Sequence, residues 1–251
     1  MKLITLNIWG GQLYKPLIEF IKKQQSVDIF CFQEVLNGKK GEKTEVILNA
    51  PNAVSDIYSQ IQDILSGHQG YFAPAQSEEG IAIFVKKSIA VAKEGNIFVY
   101  RTRNSYEKGR AETLGRNLQY VQFKINDKHF AVANLHGLWA RGGKGDTPER
   151  IEQFKKVKEF LNTIKGEKIL CGDFNLWPNT ESMAILEEKM KNLVRNYNIS
   201  STRSHFYDSD VYDKDDLFAD YIMVSNDIKV LGFKALAVDV SDHLPLYLEF
   251  A

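Results

Sequence analysis

In Lys168-Ile169-Leu170-Cys171-Gly172-Asp173-Phe174-Asn175 a carboxylate and an amide close an apolar run. The run reads as a buried strand, Gly172 permits a sharp turn, and Asp173 and Asn175 follow where the strand should stop. Ligands sit beyond strand ends in sheets flanked by helices, so polar residues there face a substrate. Gly-Asp-Phe-Asn is also ordinary turn composition, and the other strand ends decide between the two readings. Asn7, Glu34, His136 and the pair Asp242-His243 stand at the ends of further apolar runs, and Asp220 opens Asp220-Tyr221-Ile222-Met223-Val224. Carboxylate and amide oxygens are hard ligands suited to Mg²⁺ or Mn²⁺, and histidine beside a carboxylate suits proton transfer or phosphoryl stabilisation. Each position alone has a structural alternative: a turn cap for Asn7, a surface ion pair for Glu34, either for Asp220. Six of them at apolar-strand ends are harder to explain structurally.

The elements that must hold these residues follow from periodicity. Strands are expected at 2–8, 28–34, about 80–86, 89–100, 118–125, 129–135, the run ending at Asp173, 219–224, 228–237 and 244–250. Helical spacing marks 14–25, with Leu17, Ile18 and Ile21 on one face, then 53–65 and 180–191. Thr147 and Pro148 read as the N-cap and first position of a helix to Ile164. Asn126-Asp127-Lys128 joins two strands as a hairpin turn. Charged or glycine-rich loops fill 37–52, 101–117 and 137–146, and a polar, acidic stretch covers 200–218. Strands and helices alternate in each half, yet several strands lead into hairpin turns. That pattern predicts mixed sheets covered by helices, in one domain over residues 1–251.

At 251 residues, folding as one unit buries about 70–75% of the extended surface. The 32 basic and 32 acidic residues cancel, which removes any global field toward nucleic acid or anionic membrane. No run reaches the roughly 18 apolar residues needed to cross a bilayer, and the N-terminal stretch is too short for a signal peptide. Cys31 and Cys171 lie in apolar runs and read as buried thiols in a reducing, cytoplasmic setting. Nothing in the sequence implies a protein partner.

Leu6-Asn7-Ile8-Trp9, Gln33-Glu34-Val35, Asn134-Leu135-His136, Gly172-Asp173-Phe174-Asn175, Asp220-Tyr221-Ile222 and Ser241-Asp242-His243-Leu244-Pro245 occur in that order. The series resembles the endonuclease/exonuclease/phosphatase superfamily, the fold of pancreatic-type deoxyribonuclease and neutral sphingomyelinases, over almost the whole chain. The resemblance implies an α/β four-layer sandwich: two mixed β-sheets face to face, helices on the outer faces, and the site at one rim. It also implies hydrolysis of a phosphate ester by in-line attack of water, with Mg²⁺ or Mn²⁺. By that resemblance Glu34 is the principal metal ligand, with Asn7 and Asp242 near the same ion. Asp173 orients or deprotonates the water, Asn175 holds a phosphoryl oxygen, and His243, fixed by Asp220, meets the phosphate. His136 stands near the leaving group in the deoxyribonuclease-like and sphingomyelinase-like branches, steered by a carboxylate that is Glu78 or Glu79 here. Arg116 matches an arginine that meets substrate phosphate, its alternative being a solvated loop arginine. Abasic-site endonucleases carry an acidic residue where this chain has Trp9; that departure disfavours such a repair activity and favours a single firmly held ion.

The expected activity is therefore a metal-dependent phosphoesterase, with a nuclease as the first substrate class. Trp139, Arg141 and Lys144 offer stacking and phosphate contacts, and the 101–116 loop adds five cations. A small phosphodiester or phosphomonoester is the rival, because Asp208, Asp210, Asp213, Asp215 and Asp216 would repel a polyanion if they overhang the site. A sphingomyelinase is weaker, since no apolar hairpin or basic amphipathic helix appears for membrane docking. The intact polar set argues against a non-catalytic binding module.

Overall fold

The computed structural model describes residues 1–41, 50–207 and 216–251. The first third of the chain runs β1 (Lys2–Asn7), α1 (Tyr14–Lys23), β2 (Ile29–Leu36), α2 (Ile57–Ile64), β3 (His68–Gln76) and β4 (Glu79–Lys86). The middle contributes β5 (Val91–Tyr100), β6 (Arg116–Ile125), β7 (Lys128–His136), α3 (Pro148–Thr163) and β8 (Glu167–Asp173). The rest is α4 (Glu181–Glu187), β9 (Met190–Asn192), α5 (Leu193–Asn196), β10 (Asp220–Ser225), β11 (Val230–Ala235) and β12 (Leu246–Phe250).

These strands form two six-stranded mixed sheets, ordered β11-β12-β1-β2-β4-β3 and β5-β6-β7-β8-β10-β9. With helices outside them they make the four-layer α/β sandwich that the motif series implied. Strand parity explains the layers. In β1, Leu3 belongs to the core shared with the second sheet, whereas Ile4 and Leu6 pack with Leu17, Ile21, Ile57 and Ile61 of α1 and α2. In β8, Cys171 lies on the inner face while Phe174, just past the strand, meets Phe154 of α3 at 5.6 Å between ring centroids. Because successive strand residues point to opposite faces, the terminal Asn7 and Asp173 share the inner face with Leu3 and Cys171. A buried polar row lies just beneath them: Gln33 Nε2 donates to Thr5 Oγ1 (3.1 Å) and to Asn134 Oδ1 (2.6 Å). Cys31 and Cys171 are free and buried.

Several element boundaries differ from expectation. Strand β3 went unrecognised because Gly70 and Pro74 break its pattern; it is the outer strand of its sheet, where a missing N–H is tolerated. The helix expected over 53–65 begins at Ile57. The one expected over 180–191 stops at Glu187, because Met190–Asn192 pairs with β10 as a short edge. Arg116 and Asn117, expected in a loop, begin β6. The helix after Thr147 is as expected: its hydroxyl accepts from Arg150 N at 3.2 Å and Pro148 opens the first turn. Asn126 and Asp127 both adopt positive φ in a two-residue hairpin turn. Residues 42–49 of the charged loop 37–52 lie outside the described residues.

Candidate active site

Three adjacent strands bring three of the expected residues into one row. In the parallel pair β7–β8, His136 stands opposite Asp173, and in the antiparallel pair β8–β10, Asp220 stands opposite Asp173. The same residues therefore share the inner face at one rim. Gly172 makes the row possible: its φ is +132°, and a Cβ there would sit 2.0 Å from the Leu135 carbonyl oxygen. The other sheet supplies Asn7, opposite Gln33 at the end of β1. Its Nδ2 donates across the gap to Asp173 Oδ2 at 3.1 Å.

Glu34 arrives by a different device. Strict alternation would turn it toward the helices with Phe32. The β2–β4 register shifts between Phe32 and Val35, and Glu34 takes a left-handed φ of +55°. The bulge keeps Phe32 and Val35 in the helix-side core and swings the Glu34 carboxylate into the rim beside His136, Nε2 to Oε1 3.9 Å. Burial pushes this carboxyl up to about 8, with the Asp242, Asp173 and Glu79 carboxylates adding to the rise.

The histidines differ in their partners. His243 Nδ1 lies 2.7 Å from Asp220 Oδ2. Its Nε2 is bonded to Arg203, whose Nη1 also reaches Asp242 Oδ2 at 3.3 Å. Guanidinium only donates, so His243 Nε2 accepts and Nδ1 donates to Asp220. Burial drives His243 down to about 4 and Asp220 up to about 7. His136 Nδ1 meets Arg116 Nη1 at 3.0 Å. By the same reasoning Nδ1 accepts, and the ring proton sits on Nε2, which faces Asp173 Oδ2 at 3.8 Å. Burial and the Arg116 charge hold His136 well below its ordinary range, so this ring is a neutral donor.

The steering group on His136 is thus Arg116 rather than a carboxylate. Glu79, not Glu78, lines the cleft, and its charge acts on Arg116. Glu78, the other expected candidate, does not line the cleft, because β4 begins at Glu79 and turns that side chain inward. Arg116 is 5% exposed, which removes the reading of a solvated loop arginine. Asn175 takes a left-handed φ of +53°; its backbone N–H returns to Asp173 Oδ1 at 2.9 Å and its Nδ2 donates to the Gly137 carbonyl at 3.3 Å. One N–H of that amide remains for a ligand.

Asn7 and Asp220 apart, which are bonded to Asp173 and His243, these groups open on a cleft of about 640 Å³. Its wall adds residues that sequence reasoning missed, Arg203, Trp177 and Tyr207. Arg203 stacks on Tyr207, 4.3 Å from guanidinium to ring centre. Only its place next to a polar 200–218 stretch hinted at it. Lys144, expected to be free for phosphate, is instead paired with Asp216 at 2.8 Å and donates to the Phe218 carbonyl at 3.0 Å. Asp216 is accordingly buried and neutralised rather than overhanging the site; Asp208, Asp210, Asp213 and Asp215 lie outside the described residues.

The donor set fits a hard divalent cation, since the crowded carboxylates of buried Asp173 and of half-buried Glu34 and Asp242 are the groups such an ion would relieve. Asp173, Asp220 and His243 also bring potential ligand atoms within 4.8 Å of one another, but the 2.7 Å Asp220–His243 bond already uses the facing atoms of that pair. Asn7 is turned with Oδ1 toward Trp9 N–H at 2.9 Å.

A polar site at the shared rim of two facing mixed sheets defines the phosphoesterases of the four-layer sandwich fold. The sequence model of the Endonuclease/Exonuclease/phosphatase family matches residues 4–243, and the chain belongs to that family, whose members are phosphoester hydrolases. No curated protein is matched by the sequence. Among solved structures, an endonuclease/exonuclease/phosphatase from Bacteroides vulgatus is similar at TM-score 0.72 and 16% identity, over 100% of this chain and 98% of that one. A mannosyl-6-phosphatase from Bacteroides thetaiotaomicron gives 0.71 and 19%, over 100% and 99%. The human Nocturnin catalytic domain gives 0.70 and 20%, over 100% and 93%. At these identities the likeness establishes the fold.

Proposed function

We propose that this chain, as one domain, is a divalent-metal-dependent hydrolase of a compact phosphate ester. The observation that carries the reading is the convergence, from both sheets, of Glu34, His136, Asp173, Asp242 and His243 on one cleft, with Asn7 bonded to Asp173 and Asp220 to His243. Glu34 and Asp242, with Asn7 after an amide rotation, would hold Mg²⁺ or Mn²⁺, which when bound stabilises negative charge on the phosphoryl oxygens. Asp173, held by the Asn175 backbone N–H, orients the attacking water and accepts its proton. The free N–H of the Asn175 amide donates to a phosphoryl oxygen. His136 donates from Nε2, its tautomer fixed by Arg116. His243, aligned by Asp220, faces the phosphoryl group once Arg203 swings from its Nε2 to the substrate. Arg116 Nε and Arg203 Nε are buried without a hydrogen-bond partner among the described residues, so both guanidiniums keep donors for an anion.

The sequence favoured a nuclease, and the ion pairs weigh toward the compact ester. Arg110 is held by Glu107 and Glu112, and Arg101 lies 3.6 Å from Glu107. Two of the five cations expected to supply a phosphate track are thereby tied to the loop's own carboxylates. The cations facing the cleft are opposed by Glu34, Glu79, Asp173, Asp216 and Asp242, which suits one phosphate group better than a polymer. No helix among the described residues is long and apolar enough to cross a membrane; the buried, unbridged thiols support a cytoplasmic setting.

The test is a hydrolysis panel with Mg²⁺: sugar phosphates, nucleoside monophosphates, a chromogenic phosphodiester, single-stranded RNA and DNA, and plasmid, with Glu34→Ala as control. Turnover of small esters that the control lacks and EDTA abolishes is expected. Cleavage confined to polynucleotides would return the reading to a nuclease, and activity surviving rigorous chelation would refute the metal mechanism.

A further inference from the structure

All three tryptophans of the chain, Trp9, Trp139 and Trp177, line the cleft. Trp177 is built into it most firmly. Its indole Nε1 donates to Asp216 Oδ1 at 3.1 Å, and the other oxygen of that carboxylate takes the Tyr207 hydroxyl at 2.9 Å and Lys144 Nζ at 2.8 Å. Its backbone N–H donates to the Lys144 carbonyl at 3.0 Å. The six-membered ring lies against two glycines: a Cβ on Gly143 would come within 3.1 Å of Cη2, and one on Gly145 within 3.3 Å of Cζ3. These contacts run along the outer edge of the ring, so the indole is seated against the glycine-rich loop, and a side chain at either position would disturb it. Even so, Trp177 stays 38% exposed. An exposed apolar ring, backed by glycines and pinned through its only polar atom, is costly to order unless something covers it.

Its place along the chain says what would. Trp177 follows Asn175 by two residues, a span of at most about 7 Å, and the Asn175 amide is the group assigned to the phosphoryl oxygen. A ring stacked on the indole would therefore belong to the alcohol portion of the ester, close to phosphorus. We infer that Trp177 is a stacking platform that selects phosphate esters whose alcohol carries a flat-faced ring. That face is the C–H face of a pyranose or the π face of a nucleobase, and both stack on an indole without charge. The inference rests on the phosphoesterase reading for its orientation only. Asp216 positions the platform, and Lys144 serves to neutralise Asp216 rather than to bind phosphate.

The experiment compares kcat/KM for glucose 6-phosphate, adenosine 5′-monophosphate and glycerol 3-phosphate in the wild type, Trp177→Ala and Trp177→Phe. The ratio of the better ring-bearing ester to the acyclic one should fall about tenfold in Trp177→Ala, the size of one stacked ring. It should recover in large part in Trp177→Phe, where a ring face remains. Preference for the glucose ester identifies the pyranose source and preference for the adenosine ester the base. An unchanged ratio in Trp177→Ala overturns the platform while leaving the hydrolase intact. Should the wild type hydrolyse none of the three, the compact-ester reading fails, and calorimetric binding of the same esters judges the platform separately. A ring-dependent affinity advantage lost in Trp177→Ala supports it, and equal affinities overturn it.

Discussion

Glu34 carries the electrostatic load that the proposed cation would relieve. Its carboxyl is raised to about 8 by burial and by Asp242, Asp173 and Glu79. A carboxyl whose folded value exceeds its unfolded one stabilises the fold below the unfolded value, and that contribution is lost as pH climbs through the folded value. The metal-free protein should therefore lose stability between about pH 4.5 and pH 8 on this account. Glu34→Gln removes the load, so in EDTA its Tm should exceed the wild type's at pH 8 by several degrees, with the gap closing near pH 5. The same substitution should abolish Mg²⁺-dependent turnover. Equal Tm values at pH 8, read by scanning fluorimetry, would show that the carboxylates do not repel as described. Asp173→Asn keeps the shape and removes the proton acceptor, so kcat should fall about 10²–10⁴-fold with little change in KM. Steady-state kinetics on the best ester would check this, and a KM effect alone would make Asp173 a binding group.

Among the elements, the glycine-rich segment 137–146 depends on α3. Arg150, 2% exposed, donates to the Leu138 carbonyl at 3.2 Å, to that of Gly143 at 2.9 Å and to that of Gly145. Gln153 Oε1 accepts from Leu138 N–H at 3.0 Å. One helix thus satisfies the backbone of a loop with few ladder bonds of its own. Arg150→Ala strands several of these carbonyls and should cost about 2–4 kcal/mol of stability by urea denaturation. Because Trp139, Lys144 and the glycines under Trp177 ride on this loop, KM should rise more than kcat falls. Unchanged KM would mean that the loop keeps its shape without the clamp.

For the molecule as a whole, charge balances in total, and in the 101–116 segment Arg101 is paired to Glu107 and Arg110 to Glu107 and Glu112. From 50 to 200 mM salt, kcat/KM for a compact ester should change less than about threefold, whereas 6–10 polynucleotide contacts would lose about 10³–10⁵-fold in affinity. A steep salt slope would reinstate a polymer substrate. The sequence by itself determined mixed sheets covered by helices and the polar residues at strand ends, because period-2 alternation and polar residues closing apolar runs are local signals, while the four-layer sandwich followed from the motif resemblance. It did not show edge strand β3, whose Gly70 and Pro74 erase the alternation. Nor did it show which partner each side chain meets. Parity puts Asn7 and Asp173 on the inner faces, but only sheet-on-sheet packing joins them, and only the bulge at Glu34 turns that carboxylate away from the helices. Arg203, Trp177 and Asp216 lie far apart in the chain and carry no motif. Their roles arise from distances across the folded cleft, where burial turns Arg116 from a loop cation into the partner of His136 and makes Asp216 an internal anchor instead of a repelling surface charge.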